Sequence, residues 1–264
     1  MKILILGDIV GQSGRKAIRN NLKNIINSHK IDFTIINGEN SADDGKGITK
    51  NNADEFFSYG VDVITSGNHI WDQKEIIEHI ENDKRLIRPC NFPTGTPGMG
   101  FGVYELKNGS KIVVINVMCR LFMDMIDDPF RSVDEILIYL EKNFEDSIRI
   151  VDIHGESTSE KMAIAHYLDG RVSAVVGTHT HIPTADAHIL EKGTFYQTDL
   201  GMCGDYDSVI GMNKENSIKK FFKDKEATKH FPAAGEGTLS GIIVETNTET
   251  GLAKKVTRII DGGS

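Results

Sequence analysis

The chain has 264 residues, with 30 basic and 38 acidic side chains, a net charge of −8 and 39% hydrophobic residues. That balance belongs to a globular protein and excludes the disordered and fibrous classes, and a chain this long buries a core without staples. An acidic chain with a pI near 5.6 argues against non-specific binding of duplex DNA, which demands a basic face, and leaves room for a local basic patch. Cys90, Cys119 and Cys203 stand far apart with no CxxC spacing. Neither a disulfide framework nor a thiolate zinc site is expected, and a reducing cytoplasm suits the chain. The opening run MKILILGDIVG is too short for a signal peptide, and no apolar stretch approaches the ~20 residues of a membrane span.

In chain order, short runs rich in Ile and Val predict strands at Lys2–Leu6, Phe33–Ile36, Val61–Thr65, Lys111–Val117, Ile148–Ile153 and Val172–Val176. Continuous apolar runs of this length suit strands covered on both faces. Helical patterns lie between them, at Arg15–Ser28, Lys50–Tyr59, Gln73–Asn82, Val133–Phe144 and Glu160–Leu168, with Asp72 and Ser159 as N-caps. The alternation predicts an α/β layered fold. The last third reads as strands at Ala185–Leu190, Phe195–Thr198, Gly241–Thr246 and Lys255–Ile260, with little helix between them and a hairpin connection at Asn247–Gly251. The parallel-type first half is thus expected to join a second sheet, the two packing together with helices outside. Pro89–Gly102 reads as a long surface loop rather than a boundary, so residues 1–264 are expected to form one domain.

Ligands of open α/β sheets bind outside the carboxyl ends of strands. Here those ends carry Gly7-Asp8, Asn37-Gly38-Glu39-Asn40, Gly67-Asn68-His69, His154 and Gly177-Thr178-His179-Thr180-His181. Taken singly, Asp8 reads as a helix cap, Asn40 and Asn68 as turn residues, and His69 and His154 as packed histidines. Five such ends on one sheet edge make a poor accident. His179-x-His181 is the most specific element, because alternate residues of an extended segment project together. A set of oxygen and imidazole ligands without thiolate favours Mn, Fe or Zn over Ca or Mg. Seven groups are too many for one tetrahedral site and suit two metals sharing a carboxylate. With Asp8 and Glu39 as the only formal anions, such a site stays net positive and suits an anionic phosphate ester. Competing motifs fail: Ile9 stands where a dinucleotide fingerprint needs glycine, Gly45-Lys46-Gly47 lacks a P-loop's spacing, and Ser157 and Ser159 lie in no G-x-S-x-G elbow.

The order of these residues resembles the calcineurin-like metallophosphoesterases. Within them it resembles the bacterial YmdB family, through GDIVG (7–11), NGEN (37–40), SGNHIWD (66–72), GTPGMG (95–100), YLDGRVSAVVGTHTHIPTAD (167–186) and TDLGMCGDYDSVIGM (198–212). The resemblance implies a four-layer α/β/β/α sandwich and a 2′,3′-cyclic-nucleotide 2′-phosphodiesterase, a hydrolase that releases 3′-nucleotides through a hydroxide bridging two metals. It implies one metal, Fe or Mn ahead of Zn, on Asp8, Glu39, Asn40 and His181. The second lies on Glu39 as bridge, Asn68, His154 and His179, and His69 is the proton donor. Val10 stands where the wider superfamily's D-x-H has histidine, and Glu39 where it has aspartate. Trp71 is expected to pack the start of the following helix. Arg15 and the amides after Gly14 are a candidate phosphate contact, Asp43–Gly47 a candidate substrate rim, and Ser208–Gly211 a candidate cleft wall on resemblance. The expected partner is a small phosphodiester, with no duplex DNA and no membrane, and relatives suggest a homo-oligomer, dimer or tetramer. Alternatives are a phosphomonoesterase or protein phosphatase on the same centre, or a regulatory protein that binds RNA or protein and keeps a structural metal.

Overall fold

A computed structural model describes residues 1–263. The first third supplies β1 (Lys2–Ile9), α1 (Gly11–His29), β2 (Phe33–Asn37), α2 (Lys50–Ser58), β3 (Val63–Thr65) and α3 (Ile76–Asn82). The middle supplies β4 (Phe101–Glu105), β5 (Lys111–Met118), α4 (Pro129–Asn143), β6 (Ile148–His154), α5 (Thr158–Tyr167), β7 (Ala174–Thr178), β8 (His188–Ile189) and β9 (Phe195–Gln197). The chain ends with β10 (Met202–Cys203), α6 (Lys214–Phe221), β11 (Thr238–Thr246) and β12 (Ala253–Gly262).

Two six-stranded mixed sheets result. One runs β12-β11-β1-β2-β3 with β10 also on β1; the other runs β4-β5-β6-β7-β9-β8. The expected division of the chain is therefore corrected. The last third builds no sheet of its own: β10, β11 and β12 complete the first sheet beside β1, and the middle of the chain forms the second. The β11–β12 hairpin turns at Asn247–Gly251, where Asn247 N–H donates to the Leu252 carbonyl at 2.8 Å.

Three elements escape the sequence patterns. β4 begins inside the segment read as loop, β10 is two residues long, and α6 buries the polar Asn216 and Ser217, so it shows no apolar period. Caps shift as well. Ser157, not Ser159, accepts from Glu160 N–H at the start of α5, and α3 starts without a side-chain cap while Asp72 turns to His69.

Apolar side chains separate into three clusters. Leu4, Leu6, Ile18, Leu22, Ile36 and Phe56 join α1 and α2 to one face of the first sheet. Ile3, Ile5, Ile35, Val114, Ile150 and Val176 lie between the two sheets. Val113, Val151, Ile153, Leu137 and Ile164 join α4 and α5 to the outer face of the second. Trp71 packs edge-on to Phe92, ring centroids 5.9 Å apart, against the first cluster, as expected of a packing residue.

A candidate metal centre

Side chains alternate across a strand, so the face that carries Ile35 on β2 also carries Asn37. Likewise Val63 leads to Thr65, Val114 to Asn116, Ile150 to Asp152 and His154, and Val176 to Thr178. The apolar layer between the sheets thus ends, at the carboxyl ends of the parallel strands, in a buried polar layer. On β1 the alternation would send Asp8 to the helix side, with Leu4 and Leu6. The β1–β2 register shifts between Leu6 and Asp8, so that Asp8 pairs with Asn37. This bulge, at Gly7, re-aims Asp8 toward the other sheet. A Cβ on Gly7 would lie 1.9 Å from the Gly201 carbonyl oxygen, so only glycine fits there.

The polar layer ties the sheets together. Asn37 Nδ2 donates to Asp152 Oδ2 at 3.1 Å, Thr65 Oγ1 donates to the same oxygen, and Thr178 Oγ1 donates to Asp152 Oδ1 at 2.8 Å. Burial raises the Asp152 pKa, an effect these donors oppose. Asn37 Oδ1 also receives Glu39 N–H at 3.2 Å, which sets the turn carrying Glu39 and Asn40.

Above this layer the structure brings Glu39, His154 and His179 together, their donor atoms within 4.8 Å of one another. His154 is fully buried and lies across Gly67, where any Cβ would meet its ring at 2.2 Å. The Thr178 hydroxyl, its proton given to Asp152, accepts from His154 Nδ1 at 3.0 Å. When neutral, the form a cation binds, His154 carries its proton on Nδ1 and presents a lone pair at Nε2. Three groups face that lone pair: Glu39 Oε1 at 2.9 Å, Asn68 Oδ1 at 3.0 Å and His179 Nδ1 at 3.0 Å. One proton cannot satisfy all of them, whereas a cation can.

The other candidates flank this trio. Asp8 is fully buried. Its Oδ2 accepts His179 N–H at 3.1 Å, and its Oδ1 has no hydrogen-bond partner. Such an orphaned buried oxygen is costly unless something absent from the protein chain satisfies it. His181 donates Nδ1–H to the Ile210 carbonyl at 2.8 Å, leaving Nε2 3.1 Å from the Asn40 amide. A ring held at one nitrogen by a backbone carbonyl, with the other left open, is typical of ligating imidazoles. Asn40 Nδ2 also approaches Glu39 Oε1 at 3.2 Å. His69 is half-buried; its backbone N–H is held by Glu39 Oε2 at 3.1 Å and its Nδ1 by Asp72 Oδ2 at 2.9 Å.

Burial lowers the His154 pKa, but the Glu39 and Asp8 carboxylates outweigh it and raise it. Burial pushes the Asp8 carboxyl up to about 7, against the pull of His181 and His154. Burial would raise Glu39 too, but the neighbouring His154 brings it down to about 2. His179 falls to about 3, through burial and repulsion from His154. Its imidazole is therefore a neutral donor at pH 7. A donor set of carboxylates, imidazoles and amides without thiolate fits transition metals such as Mn, Fe or Zn.

Sequence reasoning missed the supports. His179 and His181 have φ of 99° and 67°, in the left-handed region that side chains avoid. The segment is anchored by a buried pair: Lys161 Nζ donates to the Thr178 carbonyl at 2.7 Å and to Asp199 Oδ2 at 3.1 Å, and Asp199 also accepts Thr180 N–H at 3.0 Å. A lysine in the first turn of α5, with no local partner, carried no signal in sequence. Arg15 contacts the Ser41 carbonyl and Asp43, bracing the loop beyond Asn40. Of the Ser208–Gly211 segment, Ile210 touches the site, through its carbonyl. Val10 packs against Gly211, where a Cβ would lie 2.7 Å from Val10 Cγ1, so position 10 makes an apolar contact.

A family described as "YmdB-like protein" matches residues 4–259. The chain belongs to this family. Among YmdB relatives, the Bacillus subtilis (strain 168) protein named 2′,3′-cyclic-nucleotide 2′-phosphodiesterase is 45% identical over 260 residues, covering 98% of this chain and 97% of that one. The crystal structure of a Thermus thermophilus protein described as hypothetical superposes with a TM-score of 0.91 at 39% identity, covering all of both chains. A Mycoplasma pneumoniae crystal structure described as a novel phosphatase matches with a TM-score of 0.91 at 34% identity, covering 99% of this chain and 93% of that one.

Proposed function

We propose that this chain is a metal-dependent phosphodiesterase that hydrolyses 2′,3′-cyclic nucleotides at the 2′ ester and releases 3′-nucleotides. The observation that carries the reading is the convergence of Glu39, Asn68 and His179 on Nε2 of His154, beside the orphaned Asp8 oxygen. The activity named for the Bacillus subtilis relative narrows the substrate. In this reading residues 1–264 are one metallophosphoesterase domain with a four-layer α/β/β/α calcineurin-like arrangement, supported by the three apolar clusters.

One metal would be held by Asp8, Glu39, Asn40 and His181, and a second by Glu39, Asn68, His154 and His179, with Fe or Mn as the assigned ions. When bound, such a pair supplies a nucleophile at neutral pH and neutralises charge building on the phosphoryl oxygens. The leaving ribose oxygen is a poor alkoxide and needs a proton. His69 is the donor: Asp72 holds Nδ1, and Nε2 is left as the ring atom that hands a proton over. Asp72 acts through His69 and is a positioning residue. After reconstitution with Mn or Fe, diester and monoester turnover are compared directly. Rapid consumption of 2′,3′-cyclic AMP with slow release of phosphate from 3′-AMP is expected; the reverse preference would move the function to a phosphomonoesterase.

A further inference from the structure

Between Met212 and Pro232 the chain leaves the body of the protein and returns. The two residues form an isolated β-bridge, Asn213 N–H donates to the Phe231 carbonyl at 3.0 Å, and Ala233 N–H donates to the Gly211 carbonyl at 2.8 Å. The base of this excursion lies two residues from Ile210, whose carbonyl holds His181. It also abuts the loop after Asn40, since a Cβ on Gly45 would lie 2.8 Å from Pro232.

Its composition is unlike the rest of the chain. Residues 214–231 carry six lysines against Glu215, Asp224 and Glu226, within a protein of net charge −8. Lys214 pairs with Asp207 and Lys219 with Glu226, but among the described residues Lys220, Lys223, Lys225 and Lys229 form no ion pair. Phe221 and Phe222 are 83% and 81% exposed, and Phe231 is 44% exposed. Large aromatic rings so open to water, interleaved with unpaired cations, match the surfaces that track single-stranded nucleic acid: lysines meet phosphates and rings stack on bases. The exposed Lys46, on the loop beside this excursion, extends the positive rim toward the site.

We infer that the α6 excursion is a docking surface for single-stranded RNA, which makes the substrate the 2′,3′-cyclic phosphate at the 3′ end of an RNA strand rather than a free mononucleotide. A 2′,3′-cyclic phosphate is the end left when a ribose 2′-oxygen displaces the next nucleotide, so the class of reaction that supplies this substrate is RNA transesterification. An eight-residue helix spans about 12 Å, so Phe221 and Phe222 lie about that far along the excursion from Lys214, a length of a few nucleotides. This inference rests on the phosphodiesterase reading above.

The test uses the metal-loaded full chain and two measurements. First, kcat/KM is compared for 2′,3′-cyclic AMP and for an RNA pentamer ending in a 2′,3′-cyclic phosphate, in the parent protein and in Phe221→Ala/Phe222→Ala. Second, fluorescence anisotropy follows a labelled pentamer ending in a 3′-phosphate, with sedimentation velocity on the same samples. The pentamer is expected to exceed the mononucleotide about tenfold, the size of one stacked base. The double variant should lose that advantage, leave mononucleotide turnover unchanged and bind the labelled pentamer about tenfold more weakly, in the same oligomeric state. Equal kcat/KM for the two substrates, or an advantage that survives the double substitution, would overturn the inference. So would a change of oligomeric state with RNA binding intact, which would make the phenylalanines a contact between copies. If neither substrate turns over, the phosphodiesterase reading fails, and the anisotropy alone decides the surface: binding lost in the variant upholds it, and no binding by the parent protein refutes it.

Discussion

His69 is half-buried and fixed twice, through its backbone N–H on Glu39 Oε2 and its ring on Asp72. Removing the ring leaves the ligand set intact, so His69→Ala should lower kcat by ~10²–10⁴-fold with an unchanged metal content by elemental analysis; lost metal would instead make His69 a ligand. Gly67 is the opposite case, a residue defined by what it lacks. Gly67→Ala would drive a methyl into the His154 ring, and the expected result is a loss of bound metal at little cost to the fold, read from metal content against the far-UV spectrum. Asp8 offers a pH signature in the metal-free protein. Its carboxyl is raised from 3.8 to about 7 by burial. Between those values the folded state holds a proton that the unfolded state has released, so this group costs stability increasingly as pH rises from about 4 to 7. Asp8→Asn should therefore raise the melting temperature of the metal-free protein at pH 8, with the difference vanishing near pH 3.5. A difference independent of pH would contradict the assignment.

At the scale of elements, the site is made where strands change character. Apolar runs announce β1, β2, β6 and β7 in the sequence, and the polar residues just beyond them could be read as one site. The expected single sheet edge is corrected: β1, β2 and β3 belong to one sheet and β6 and β7 to the other. The bulge at Gly7 could not be read: it depends on Gly201 crowding β1, a contact between residues 194 apart. Nor could α6, whose buried residues are polar, or β10, which exists because β1 offers it a partner. Asp72 was legible as a polar residue before a helix and was read as its N-cap, but it bonds His69 instead, because an N-cap and a histidine partner look alike in one dimension. The Lys161–Asp199 pair joins α5 to the strained His179–His181 segment. Lys161→Met would leave the fully buried Asp199 carboxylate without its partner. Breaking a buried pair in this way costs ~3–5 kcal/mol, measurable by denaturant unfolding of the metal-free protein, and a loss below about 1 kcal/mol would show that the pair does not hold the segment.

Across the whole molecule, the sheets meet through an apolar layer that becomes polar only at the carboxyl edge, where Asn37, Thr65 and Ser66 bond Asp152, Thr178 and Asn116 of the other sheet. The centre is thus built by both sheets, and a metal bound there is linked to global folding. Saturating Mn at 100-fold over its Kd should add about 2.7 kcal/mol and raise the melting temperature by several degrees, reversed by a chelator. The α/β class was legible from alternating strands and helices; the sharing of one sheet between the two ends of the chain was not, because sequence patterns carry no pairing information. The most direct test of the central claim is product analysis with the Mn- or Fe-reconstituted protein and 2′,3′-cyclic AMP, resolving 3′-AMP from 2′-AMP. Formation of 3′-AMP, lost in His69→Ala, is the predicted result. Formation of 2′-AMP, or no turnover by protein carrying two metals per chain, would contradict it.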